Sequence, residues 1–190
     1  MNCKKLFMLS LLLSFGLFCK SQNLTSTHFR ISDKSTNIKS IEMTFDDTII
    51  YIDSEGNIYG LPSNRKDDFQ YASNFDGENR QGKIKSIGNM KIDYYDKFDM
   101  HEPIGKVKSI GNIKILYNNK FDIQEKFGTI KSIGNIKISY YNTFDINDPI
   151  GKVKSIGNVK IDYFNKFDSA DKFGNIKSIK GNSKLVYVTK

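Results

Sequence analysis

The stretch GKIKSIGNMKIDYY begins at Gly82; close copies begin at Gly105, Gly128 and Gly151, and a fainter one, GNIKSIKGNSKLVY, at Gly174. A chain that writes one segment every 23 residues has little freedom in how it folds. Each unit supplies the same apolar face at the same place, and only its neighbours can complete the core. The phase is marked by Phe-Asp at Phe75-Asp76, Phe98-Asp99, Phe121-Asp122, Phe144-Asp145 and Phe167-Asp168, with degenerate forms at Ile52-Asp53 and Phe29-Arg30. Ile38-Lys39-Ser40-Ile41 stands 46 residues before Ile84-Lys85-Ser86-Ile87 and supports the earliest unit. The count is seven units over residues 29–189, the first two degenerate, after a short segment over 22–28. A longer period of 46 also runs through them: PIGKVKSIGN is shared by the units from Phe98 and Phe144, and KFG followed by IKSI by those from Phe121 and Phe167.

Inside a unit the pattern is β. Ile, Val, Tyr and Phe recur at spacing two, and Gly-Asn interrupts them. Gly88-Asn89, like Gly111-Asn112, Gly134-Asn135 and Gly157-Asn158, predicts a two-residue type II′ hairpin turn, with Gly taking the positive φ. Such a turn sets Ile87 opposite Met90 and Lys85 opposite Ile92. Ile87, Met90, Ile92 and Tyr94 then share an apolar face, and Ser86, Lys91, Asp93 and Tyr95 take the polar one. Ile84, Val107, Ile130, Val153 and Ile176 fall on the polar face by this count. A bulge near Ser86 would turn them inward, and the sequence leaves both placements open.

The units stack either as a parallel β-solenoid or as an antiparallel meander. In a solenoid, equivalent residues lie about 4.8 Å apart, and Lys85, Lys108, Lys131, Lys154 and Lys177 would repel down one column. In a meander they lie about 9.6 Å apart, beyond a physiological Debye length of about 8 Å. The expected fold is therefore all-β: 23-residue tandem repeats, one hairpin per unit, in an antiparallel meander sheet, with the solenoid as alternative.

Residues 1–21 read differently. Lys4 and Lys5 precede an apolar run of 13 residues from Leu6 to Phe18, and Cys19 and Ser21 stand three before and one before a cut at Gln22. This is the order of a secretory signal peptide, and the run is too short to span a bilayer. Both cysteines, Cys3 and Cys19, lie in it, so the mature chain is expected to carry no thiol or disulfide. Removing the three leader lysines takes the formal charge from +8 to +5, a mild excess spread along the chain. The protein is expected in a secreted, periplasmic or cell-surface location. Nucleic acid is not expected as a partner. Strands of five or six residues, each with a Lys, are too short for a membrane barrel, and an integral membrane protein is not expected.

In period and one-hairpin design the units resemble the MORN repeat, although IGNMKIDYY lacks that family's paired glycines and aromatic-Gly opening. Tyr95-Asp96 is similar to part of the YD repeat, with different spacing to Gly105. The resemblance implies a bacterial, secreted β-hairpin repeat protein and transfers no residue role.

No catalytic constellation stands out. His28 and His101 are the only histidines, and neither occupies a repeated position. No enzyme and no cofactor is expected. Loop acids pair at spacing three, Asp99 with Glu102, Asp122 with Glu125, Asp145 with Asp148, Asp168 with Asp171. Two carboxylates with loop carbonyls suit Ca²⁺ weakly, but Asp also caps turns, and no metal site is expected. A ligand surface is drawn from Tyr95, Tyr141 and Phe164 with Lys91, Lys114, Lys137 and Lys160, rings for stacking and ammonium groups for polar contact. The expected function is an exported, non-enzymatic binding or structural protein presenting an extended β surface to a protein or a cell-surface polysaccharide. The alternative is a glycan- or polyanion-binding module using the Tyr and Lys columns.

Overall fold

A computed structural model describes residues 23–33, 38–46, 48–60 and 69–190; the leader expected over 1–21 lies outside the described residues. Fifteen strands and two single 3₁₀ turns account for the regular structure described. Strands β5 (Phe69–Tyr71), β6 (Ile84–Ile87), β7 (Met90–Tyr94), β8 (Val107–Ile110), β9 (Ile113–Tyr117), β10 (Ile130–Ile133), β11 (Ile136–Tyr140), β12 (Val153–Ile156), β13 (Val159–Tyr163) and β14 (Ile176–Lys180) form one open sheet in strict chain order. Every neighbouring pair in it is antiparallel. The fold is an antiparallel meander, not a solenoid and not a closed barrel.

The hairpins follow the turn. Gly88, Gly111, Gly134 and Gly157 hold φ between 53° and 57°, and none of the Asn residues after them has positive φ, the φ pattern of a type II′ turn. Ile87 pairs with Met90, and Ser86 with Lys91. Between hairpins the ladder slips by one residue. Tyr94 pairs with Val107 while Asp93 pairs with Ser109, leaving Lys108 as the extra residue of a bulge; Lys131 and Lys154 occupy the same place. The bulge rotates Val107, Ile130 and Val153 into the core, where all three are buried. Lys85 likewise lies in a bulge, against β5, and does not continue the β6–β7 ladder opposite Ile92.

A second sheet has the order β15-β1-β2-β3-β4, built from β1 (Leu24–Ile31), β2 (Ile38–Phe45), β3 (Thr48–Asp53), β4 (Ile58–Gly60) and β15 (Val186–Thr189). β15 runs parallel to β1, the one parallel pairing among the described strands, and joins the chain end to its first strand. Phe29, Ile31, Ile41, Met43, Ile50 and Ile52 of this sheet share a single apolar cluster with Ile87, Met90, Ile92, Val107, Ile110 and Ile115 of the meander. The small sheet therefore caps the apolar face that the hairpins generate. Ile176 N–H donates to Asp33 Oδ1 at 2.7 Å, and Val107 N–H to the Gly56 carbonyl at 3.1 Å. Among the described residues no helix is long and apolar enough to cross a membrane.

Candidate functional site

Each hairpin leads to the next through a loop closed at its neck by paired backbone bonds. Tyr95 N–H donates to the Lys106 carbonyl at 2.9 Å, and Gly105 N–H returns to the Tyr95 carbonyl at 2.7 Å. The same two bonds recur at Asn118, Tyr141 and Phe164. Beyond the neck a four-residue motif folds on itself. In Asp96-Lys97-Phe98-Asp99, the Asp96 side chain accepts from Phe98 N–H at 2.9 Å, and the Asp99 side chain accepts from Asp96 N–H at 3.0 Å. Asn119 with Asp122, Asn142 with Asp145 and Asn165 with Asp168 repeat this reciprocal cap. Ser73 with Asp76 makes it in a 3₁₀ turn.

The second carboxylate oxygen of each cap takes the bulge lysine nine residues on. Lys108 reaches Asp99 at 2.5 Å, Lys131 Asp122 at 2.6 Å, Lys154 Asp145 at 2.7 Å and Lys177 Asp168 at 2.9 Å, and Lys85 reaches Asp76. These carboxyls sit below the ordinary range. At Asp76 the Lys85 ammonium, with the Ser73 N–H and hydroxyl, brings the value to about 2. Lys131 and Lys154 lead at Asp122 and Asp145; at Asp168 the Asn165 N–H leads, followed by Lys177. At Asp99 burial pushes upward, and Lys108 with the Asp96 N–H outweighs it.

Of the eight loop acids weighed for calcium, the four capping aspartates Asp99, Asp122, Asp145 and Asp168 are thus already in use. Of their spacing-three partners, Glu102 accepts from the Asn119 side chain at 2.8 Å and Asp148 from Asn165 at 3.4 Å, tying each loop to the next. Burial raises Glu125 although the Asn142 side chain bonds it, and Asp171 stands exposed. No group of three or more His, Cys, Asp or Glu among the described residues has the geometry to hold a metal ion.

The ring surface needs correction as well. Tyr95 and Tyr141 are buried, and their hydroxyls donate to the carbonyls of Ile115 at 3.0 Å and Ile161 at 3.2 Å. Each meets the tyrosine of the following unit edge-on, with centroids 5.8 Å apart from Tyr117 and Tyr163. Burial pushes both hydroxyls up to about 12. The strand ends at Tyr94, so the alternation that put Tyr95 outside stops one residue too early to govern it. Phe164 is half-buried beneath Lys172 and Lys177. Lys91, Lys114, Lys137 and Lys160 do lie on the outer sheet face, all exposed.

What the loops expose is phenylalanine. Phe75, Phe98, Phe121, Phe144 and Phe167 are 100, 80, 71, 76 and 82 % exposed, with Met100, Ile123 and Ile146 two residues further on also exposed. Both caps pin the backbone on either side of each ring, while the ring itself fills no core. Equivalent loops stand two strands apart, about 9.6 Å by strand spacing, and the His101 ring of one loop meets Phe121 of the next with centroids 4.6 Å apart. Repeat phase alone was read from these residues in the sequence. The missed signal is a large apolar side chain recurring in a loop, where no strand face calls for it. No family model, no curated protein and no solved structure matches this chain.

Proposed function

We propose that this is an exported, non-enzymatic binding protein whose meander holds a ladder of phenylalanines out to a partner. The observation that carries the reading is the set of five Phe rings, each 71 % exposed or more and each set between two side-chain caps. Exposed apolar surface of this extent marks interaction sites in folded proteins. A loop backbone held in advance loses little freedom on binding, and repetition sums weak contacts along one line. Export rests on the leader over 1–21. The non-enzymatic reading rests on what the acids do: those of the repeated caps are bonded to lysines and backbone amides.

A second reading places a polyanion on the outer sheet face. Lys91, Lys114, Lys137 and Lys160 lie opposite Ser86, Ser109, Ser132 and Ser155. None of the four is in an ion pair among the described residues. Fractionating cells that express the full chain tests both readings. The protein is expected outside the cytoplasm with an N-terminus at or near Gln22; intact Met1 on cytoplasmic protein rejects export. Retention on the cell envelope is expected to fall at least tenfold when Phe98, Phe121 and Phe144 become Ser. Loss on changing the four outer-face lysines to Gln, reversed by salt in the wild type, selects the polyanion instead.

A further inference from the structure

Lys83, Lys106 and Lys152 each follow the glycine that closes a loop neck; the same position holds Thr129 after Gly128, and Asn175 at the sheet edge. The three ammonium groups lie over tyrosine rings of the strand that follows. Lys83 stands 5.0 Å from the Tyr94 centroid, Lys106 5.4 Å from Tyr117 and Lys152 5.5 Å from Tyr163. Lys83 and Lys106 also donate to the carbonyl of the next unit's glycine, Gly105 at 2.5 Å and Gly128 at 3.0 Å. Tyr140 keeps its ring in the same place. Its hydroxyl donates to the Ile130 carbonyl at 2.8 Å, as Tyr94 does to Ile84 at 2.9 Å and Tyr117 to Val107 at 3.0 Å. Thr129 is too short to cross that ring, and its hydroxyl is bonded to the Lys126 carbonyl at 2.7 Å and the Asn118 side chain at 2.8 Å.

The glycines show the space this leaves. A Cβ on Gly105 would stand 3.2 Å from Lys83 Nζ, on Gly128 3.4 Å from Lys106 Nζ and on Gly174 3.6 Å from Lys152 Cε, whereas on Gly151 it would meet nothing within 4 Å. A cavity of about 120 Å³ opens here, lined by Thr129, Tyr140 and Gly151 of the meander and by Ile38 and Glu55 of the opposite sheet and its turn. At about 30 Å³ for each water of liquid, this is room for a short alkyl chain with a polar head. We propose that the cavity binds a primary alkylammonium of lysine side-chain length, its cation over the Tyr140 ring and donating to the Gly151 carbonyl.

The ring face attracts a cation, and an ammonium carries three donors and no acceptor, which suits a carbonyl beside a ring. A carboxylate or phosphate would turn its charge toward two electron-rich groups. Lys106 and Lys126 also line the cavity, but Lys106 is held by Glu55 at 3.5 Å and by the Gly128 carbonyl. Lys83 and Lys106 already occupy successive places in this column, so an ammonium at the next repeats a spacing that the fold holds.

The soluble protein recovered from cells expressing the full chain is to be titrated with n-butylammonium chloride at constant ionic strength, following the NMR shifts of the Gly151 amide and the Tyr140 ring. Saturation in the millimolar range is expected. n-Butanol and n-butyrate, of similar length without the cation, are expected to bind at least tenfold more weakly. Thr129→Lys supplies the side chain that Lys106 and Lys152 carry at this position, and it is expected to abolish the shifts with an unchanged circular dichroism spectrum. Should that variant not fold, the three ligands compared on the wild type decide alone. No saturation by about 100 mM n-butylammonium overturns the site. So does n-butanol or n-butyrate binding as tightly, or a folded Thr129→Lys protein that still saturates.

Discussion

A valine at position 111 would set a β-branched side chain on a backbone held at φ +57°, where its Cβ meets only the Met90 side chain at 3.5 Å. Space is available, so the cost is conformational, and Gly111→Val is expected to lower stability by about 1–3 kcal/mol in urea denaturation. Asn112→Ala should cost less, since the second turn position keeps negative φ. Gly181 differs: a Cβ there would stand 2.6 Å from the Asn158 carbonyl oxygen at φ +96°. Even Gly181→Ala should therefore exceed Gly111→Ala, although Lys180 is an insertion at that hairpin. The capping carboxylates carry a pH signature. Their pKa values are depressed in the fold, so the stability they contribute is present above the unfolded value of about 3.9 and is lost as pH falls through the folded one. Stability is expected to hold down to about pH 4 and to decline toward pH 2, where Asp76 titrates. Urea midpoints across that range check it, and a Lys131→Gln, Lys154→Gln variant should show a shallower acid decline.

At the scale of the hairpin, the bulge lysine does two jobs. Its backbone is the extra residue that turns Ile130 and its counterparts inward, and its side chain locks the loop acid. Deletion and substitution separate them. Deleting Lys131 restores a regular ladder and moves Ile130, 2 % exposed, toward the outer face, because a one-residue slip exchanges faces. The loss expected is about 1.5–3 kcal/mol, the worth of one buried Ile. Lys131→Ala keeps the bulge and removes only a surface ion pair, so it should cost no more than about 1 kcal/mol. Equal urea midpoints for the two variants would show that the bulge does not direct Ile130.

Across the whole molecule, β15 decides whether the small sheet has a protected first strand. Thr27 N–H donates to the Leu185 carbonyl at 2.8 Å, Val186 and Val188 are buried, and His28 bonds Thr189 at 2.8 Å. Removing residues 185–190 deletes both buried valines and leaves β1 as an open edge, a template for pairing with other chains. A loss on the order of 3 kcal/mol or more is expected from the two side chains, with light scattering rising at the unfolding midpoint. Removing Lys190 alone, which ion-pairs with Asp33, should change little.

The hairpins, the pairing of Ile87 with Met90 and Ser86 with Lys91 beside the turn, and the apolar strip of Ile87, Met90, Ile92 and Tyr94 were determined by the sequence alone. The expected pairing of Lys85 with Ile92 was displaced by a bulge. A two-residue Gly turn and a period of two act between residues close along the chain. The meander followed from the charge column, again a matter of local spacing. Four things were left to the tertiary structure: the inward turn of Val107, Ile130 and Val153, the burial of Tyr95 and Tyr141, the second sheet over the core, and the parallel return of β15. Each depends on which face a distant segment covers, and alternation within a strand carries no record of that. The phenylalanine ladder belongs with them. The sequence shows Phe-Asp in five of the seven units, but a ring in a loop is core or surface according to what packs above it, and here the rings stay 71–100 % exposed.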